Sequence, residues 1–135
     1  MLPSGFSVQF SIHNAYQGLA VVNGVLQTSE TDLVVEYETK DAVVGMVKSG
    51  IKQVRIPGNE LSTVVLKAGW FRTRLFIRTR GMAALAGIPG NEAGQVVLRI
   101  ARKDRKAAQA LASALLLYLS DLQLASLNRA IGQIQ

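Results

Sequence analysis

The segment IPGNELSTVVLKAGWFRTRLFIRTR, residues 56–80, contains two strand-like runs separated by a short turn. In the second run, apolar Leu75 and Ile77 alternate with arginines and with Phe76. A period of two places successive side chains on opposite faces of a sheet. The segment therefore predicts a β-hairpin with one buried face and with Trp70 at its tip.

The pentapeptide IPGNE occurs twice, at residues 56–60 and 88–92, and a Val-Val-Leu run follows each copy. Proline fixes φ at one turn position and glycine accepts a positive φ at the next, so the pair is typical of a tight turn. Phosphate-binding loops lead into a helix instead, and repeat proteins need about three or more similar units. We interpret the two copies as the same turn starting two strands.

Alternating patterns extend through the first two-thirds of the chain. Gly24 interrupts one of them and predicts a bulge or a close approach of two backbones. The small residues of 41–50 predict a turn. In addition to 73–80, strands are predicted at residues 6–13, 17–28, 32–40, 51–56, 62–67 and 94–99.

The last part of the chain has a helical pattern that begins after Asp104, a residue suited to an N-cap. Polar residues such as Asp121 interrupt the apolar run 107–127, so we expect a buried or partner-facing helix rather than a membrane span. The main apolar stripe has spacings of three and four and comprises Ala108, Leu111, Leu115, Tyr118 and Leu122.

A second apolar set lies off this stripe and predicts that the helix is covered on more than one side. Two interpretations are open: an interface with a partner or a second copy, for which a twofold homodimer is the usual form, or a cover formed by this same chain. The set comprises Leu116, Leu117, Leu124 and Leu127.

Composition and charge place limits on the function. The 135 residues are 49% hydrophobic and include no cysteine, which favours a single domain over 1–135 and excludes disulfides and thiolate metal sites. The net charge of +6 is concentrated in residues 67–106, which carry ten basic and two acidic side chains. Such a field attracts anionic lipid, nucleic acid or an acidic protein surface. A solvated basic side with no partner is the alternative.

Arginines around an aromatic ring form the main candidate surface, because the guanidinium group binds phosphate and carboxylate in a bidentate manner. The alternative is a solvated strand whose arginines pair with Glu36 and Glu38. Trp70 is either an exposed interaction residue or folds back on the core. The candidate anion-binding or lipid-binding residues are Lys67, Arg72, Arg74, Phe76, Arg78, Arg80, Arg99, Arg102 and Lys103.

Residues 17–120 resemble the pleckstrin-homology-like (PH-like) domains of uncharacterised bacterial proteins. The resemblance is carried by the strand-ending IP in VRIPGNELSTVVLKAGWF, by the hairpin that continues into TRLFIRTR, and by VVLRIARKDRKAAQALASALLLYL as last strand and closing helix. It implies a mainly β fold: a barrel or sandwich of two nearly orthogonal antiparallel sheets with about seven strands, capped by one long C-terminal helix. Segment 6–13 is then an extra strand that extends a sheet edge or pairs with another chain, and 121–135 extends the helix.

The resemblance does not extend to the usual lipid site. Lipid-binding relatives have a phosphoinositide site similar to a lysine and arginine cluster on their first two strands. The corresponding stretch here contains no basic residue before Lys40 and carries Glu30, Asp32, Glu36 and Glu38. We therefore expect no phosphoinositide binding at that position.

Catalysis has little support, because His13 is the single histidine and no zinc, calcium or nucleotide motif is present. We expect no enzyme activity, cofactor, metal site or small-molecule substrate. The leading hypothesis is a non-catalytic module of the bacterial cytoplasm for protein–protein association, including homo-oligomerisation. The second is binding to anionic membrane at its inner face. Nucleic-acid binding is weaker, because only Phe76 places an aromatic ring among the charges.

Overall fold

The computed structural model describes residues 2–41 and 50–134, and within them the chain forms seven antiparallel strands and one C-terminal helix. The turn predicted at residues 41–50 falls almost wholly outside the described residues. The elements are β1 (Ser7–Ile12), β2 (Ala20–Thr28), β3 (Asp32–Asp41), β4 (Lys52–Pro57), β5 (Leu61–Ala68), β6 (Thr73–Thr79), β7 (Gln95–Ile100) and α1 (Arg105–Ile134).

The strands form one sheet in the order β4-β3-β2-β1-β7-β6-β5. β1 pairs with β2 along its whole length, but it meets β7 only where Ser11 lies opposite Arg99. A four-strand half and a three-strand half are thus joined at a narrow β1–β7 junction. In the described part of the chain the outer strands β4 and β5 do not pair with each other, so the sheet is not closed.

The position of β1 differs from the expectation that residues 6–13 extend a sheet edge. β1 lies between β2 and β7, and its side chains Val8, Phe10 and Ile12 are buried. The alternating pattern identified the strand and its buried face. Only the tertiary fold shows that the strand joins the two halves of the sheet.

A single cluster of buried side chains takes members from all seven strands and from the first half of α1. Leu33, Ile77 and Leu98 are among its fully buried members. The predicted alternation is confirmed in β6, where Leu75 and Ile77 are buried and Arg74 and Arg78 are exposed. Burial of this set, at about 25 cal/mol per Å2 of apolar surface, is the main force holding the two halves together.

The two IPGNE copies adopt different conformations, contrary to the interpretation that they form the same turn. In the first, Gly58–Glu60 form one 3-10 turn, and Gly58 is buried against Leu2 and Tyr118. In the second, Gly90 has a φ of +84°. A strand follows each copy, so the turn prediction holds while the turn geometry is set by distant contacts.

The helix α1 is covered by the domain along its first half only. Ala108, Leu111, Ala112 and Leu115 are buried, whereas most side chains after Leu119 are exposed. By length and composition alone, Arg102–Gln133 qualifies as a candidate membrane span: an 18-residue window within it has a mean hydropathy of 1.5, and 17% of that window is buried. Core helices of ordinary soluble folds also meet that criterion.

Candidate anion-binding site

Three basic residues form a row across the outer face of the three-strand half. Lys67 of β5 lies opposite Arg74 of β6, and Arg74 lies opposite Arg99 of β7. Neighbouring strands are about 4.8 Å apart, so the row spans about 10 Å of backbone. The strand alternation that buries Leu75 and Leu98 turns these cations outward.

Like charges directly opposite one another destabilise a sheet, and this row has little to offset them. No ion pair with a carboxylate involves these three residues within the described ranges. Lys67 Nζ lies 4.9 Å, and Arg74 Cζ 5.7 Å, from the centroid of the Phe76 ring. These cation–π contacts hold the two side chains close together. The half-buried Phe76 therefore supports the two cations from beneath.

A cleft of about 380 Å3 lies beside the row on the β1 side. Ser11 Oγ lies 3.0 Å from His13 Nε2, and Asn14 Nδ2 donates a hydrogen bond of 3.2 Å to the Gly90 carbonyl. Guanidinium, imidazole and hydroxyl groups are all donors that bind phosphate or carboxylate oxygens. The lining contains no acidic residue: it comprises Ser11, His13, Asn14, Arg72, Arg74, Val97 and Arg99.

His13 reports on the electrostatics of this cleft. Partial burial, followed by the nearby positive charges of Arg99 and Arg72, lowers the pKa of His13 below its ordinary value of 6.5. The imidazole is therefore neutral at neutral pH. A bound anion reduces the repulsion, favours the protonated ring and raises the pKa. By linkage, the affinity of the cleft for an anion must rise as the pH falls through the pKa of His13.

Because His13 is the single histidine of the chain, its ring proton signals in a one-dimensional NMR titration report its pKa without assignment. We expect a pKa below 6.5 in the free protein. Arg99→Gln together with Arg72→Gln is expected to move the pKa upward, and added inorganic phosphate to move it in the same direction. Arg78→Gln, which removes a charge away from the cleft, is the control. An unchanged pKa in the double variant would refute this account of the cleft.

The tip of the β5–β6 hairpin presents two aromatic rings to solvent. Trp70 is 88% exposed and Phe71 is 95% exposed. The turn is closed by a 2.7 Å hydrogen bond from the Gly69 amide to the Arg72 carbonyl. A second cleft of about 590 Å3 joins this tip to the cation row; it is lined by Lys67, Ala68, Gly69, Trp70, Phe71, Arg72 and Arg74. Of the two positions considered for Trp70, the structure therefore has the exposed one.

Two arginines hold the backbone of the hairpin tip in place: Arg102, just before α1, and Arg105, its first residue. Arg105 donates hydrogen bonds to Thr73 Oγ1 at 3.0 Å and to the Gly69 carbonyl at 3.1 Å. Arg102 donates to the Trp70 carbonyl at 3.3 Å. Arg102, a candidate ligand by sequence, thus supports the hairpin backbone. Arg105 belongs to the basic run 102–106, but its contact with the hairpin was not predictable, because no local pattern links it to a turn more than thirty residues earlier.

The remaining candidate residues, Arg78, Arg80 and Lys103, line neither the cleft beside His13 nor the cleft at the hairpin tip. Arg78 donates a 2.7 Å hydrogen bond to Gln95 Oε1, and Arg80 lies beyond the end of β6. At about 3.3 Å per residue, Arg78 is about 13 Å from Arg74 along the strand. Lys103 lines a smaller cleft of about 160 Å3 that includes Arg99 and Asp104. Within the described ranges, no three acidic or histidine side chains are grouped as a metal site.

No protein-family model, curated protein or solved structure matches this chain.

Proposed function

We propose that this chain is a non-catalytic module that docks on anionic membrane surfaces through the tip of its β5–β6 hairpin. The observation that carries the proposal is the position of exposed Trp70 and Phe71 next to Lys67, Arg72 and Arg74, cations without carboxylate partners among the described residues. Tryptophan favours the membrane–water interface, and each lysine or arginine near an anionic surface adds about 1 kcal/mol of attraction.

The geometry favours a surface over a dissolved anion as the target. A dissolved phosphate would use the guanidinium groups of the cleft but would leave Trp70 and Phe71 in water. A lipid surface offers phosphate oxygens to the cations and an interfacial apolar layer to the two rings. Binding strength at such a surface grows with both buried apolar area and charge.

The proposed site replaces the usual phosphoinositide position of PH-like domains. The described part of β2 and β3 carries Asp32, Glu36 and Glu38, and Glu38 pairs with Lys40 at 3.6 Å. That acidic region is on the four-strand half. The cation row is on the three-strand half, so a membrane bound at the hairpin tip meets the basic part of the molecule.

The proposal includes a PH-like fold with two packed sheets. Three features support this finer description: the narrow β1–β7 junction, the core shared by both halves and the single C-terminal helix among the described residues. Phe76 is half-buried and associated with Lys67 and Arg74, so it is a poor platform for base stacking. Exposed Trp70 and Phe71 do offer open aromatic faces beside the cations, so nucleic-acid binding is the second candidate function.

Trp70 is the single tryptophan, so its fluorescence tests the proposal in the unmodified protein. Vesicles of phosphatidylcholine with phosphatidylglycerol are expected to shift its emission to shorter wavelength, and brominated lipid in those vesicles is expected to quench it. Added salt should reverse the shift, because the charges are screened. Phosphatidylcholine vesicles and dissolved glycerol phosphate are the controls, and neither should shift the emission. Emission that stays unshifted with anionic vesicles at low salt would sink the proposal.

A further inference from the structure

The second half of α1 extends beyond the domain that covers its first half. Tyr118 and Leu119 are the last consecutive residues of α1 packed against the core, and residues 123–133 are exposed. From Ser120 to Gln133 the helix extends about 20 Å at 1.5 Å per residue. In proteins most of the stability of a helix comes from packing of its apolar face, and this segment has little such packing among the described residues. A partner on that face would therefore add stability.

The exposed apolar side chains of this segment follow a coiled-coil spacing. Leu117, Leu124 and Ile131 are seven residues apart, and Leu127 lies three residues after Leu124. Their exposed fractions are 65%, 57%, 55% and 56% in that same order. At 100° per residue, Ile131 lies about 160° around the helix from buried Leu115. We call these four residues the seam; it faces away from the domain.

We propose that the seam pairs with the seam of a second copy of this chain. The a and d positions of a heptad repeat produce such a strip, and identical strips are complementary to each other. The four seam residues carry no charge, and the only charged residues between 107 and 135 are Asp121 and Arg129. No like-charge repulsion along the strip opposes the approach of two copies.

The membrane is a less suitable occupant of the seam. A spanning helix is apolar on all sides, whereas this segment carries Asp121, Gln123, Asn128, Arg129 and Gln133 outside the seam. The seam also lies far from the proposed docking site, because Arg105 contacts the hairpin tip at the other end of α1. Ile131 is about 39 Å from Arg105 along the helix.

The pair is expected to be weak and concentration dependent. A strip about 20 Å long on one helix offers roughly half of the ~800 Å2 per partner that a standard stable interface buries. This inference goes beyond the proposed function and does not depend on it, since it rests on the helix alone.

Sedimentation equilibrium of the full chain tests the pairing. The wild type is expected to change from monomer to dimer mass as its concentration rises. Leu124→Glu with Ile131→Glu is expected to weaken the dimer at least tenfold. Ser126→Glu with Gln133→Glu adds the same charge off the seam and should leave the dimer unchanged. All four positions are exposed, and circular dichroism checks that the fold is kept. Leu124→Ala with Ile131→Ala is a milder second variant that keeps high helix propensity.

Three outcomes would overturn the inference. The wild type remains monomeric at every concentration, or the dimer survives both seam variants, which would assign it to another surface. The third is a monomeric wild type whose helix inserts into neutral vesicles, with insertion lost in the seam variants. That result would make the membrane the occupant of the seam.

Discussion

The Gly24→Ala variant is expected to lower the free energy of unfolding by about 3 kcal/mol, a large part of the roughly 5–15 kcal/mol typical of a domain. Gly24 lies in β2, opposite Phe10 of β1 and Tyr37 of β3. A Cβ atom there would be 2.1 Å from the Glu36 carbonyl oxygen and 2.7 Å from the Phe10 ring. The ring can rotate away, but the carbonyl belongs to the β2–β3 pairing and cannot move without disturbing it.

The control for this prediction is Gly132→Ala, which makes the same chemical change in the exposed end of α1. Among the described residues, a Cβ at Gly132 meets no atom within 4 Å. Its effect on global unfolding is expected to stay within about 0.5 kcal/mol. Urea denaturation followed by far-ultraviolet circular dichroism compares the two. Equal midpoints for both variants would contradict the close backbone approach at Gly24.

Local periodicity was sufficient to predict which residues of β6 and β7 are buried. In β6 and β7 the alternation correctly separated buried Leu75 and Leu98 from outward Arg74 and Arg99. The close approach predicted at Gly24 is also confirmed, and the pairing of β2 with both neighbours continues through it without a bulge. The alternation depends on neighbours along the chain, which a sequence reports directly, and the glycine was recognisable because it interrupts that alternation.

Features that depend on distant contacts were not predictable in this way. The two IPGNE copies share five residues, yet Gly58 packs against Tyr118 whereas Gly90 lies against Asn14 and Ile12. These different surroundings select different backbones for the same letters. For the same reason the alternation of β1 predicted a strand but not its place between β2 and β7.

The candidate site also combines features that were predictable from the sequence with features that depend on distant contacts. The charge of residues 67–106 and the tip position of Trp70 were visible in the sequence. The register that places Lys67, Arg74 and Arg99 side by side was not. The contribution of Ser11 and His13 was not visible either, because the β1–β7 junction brings them to Arg99 from nearly ninety residues away.

Removal of two charges from the cation row is expected to weaken vesicle binding strongly. At about 1 kcal/mol per basic residue near an anionic surface, Arg74→Gln with Arg99→Gln should lower the partition coefficient roughly thirtyfold. Arg78→Gln with Arg80→Gln removes the same amount of charge. Arg78 lies about 13 Å from Arg74 along β6, and Arg80 lies farther still. This distance exceeds the Debye length of about 10 Å at 0.1 M salt. The control is therefore expected to bind within about threefold of the wild type.

Co-sedimentation of these two variants and the wild type with anionic vesicles is the most direct test of docking through the hairpin tip. Identical net charge separates the position of the arginines from their number. We predict that the Arg74 and Arg99 variant remains in the supernatant while the Arg78 and Arg80 variant pellets with the wild type. Equal loss of binding in both variants would show that overall charge, not the cation row beside Trp70, determines binding, and would contradict the proposed site.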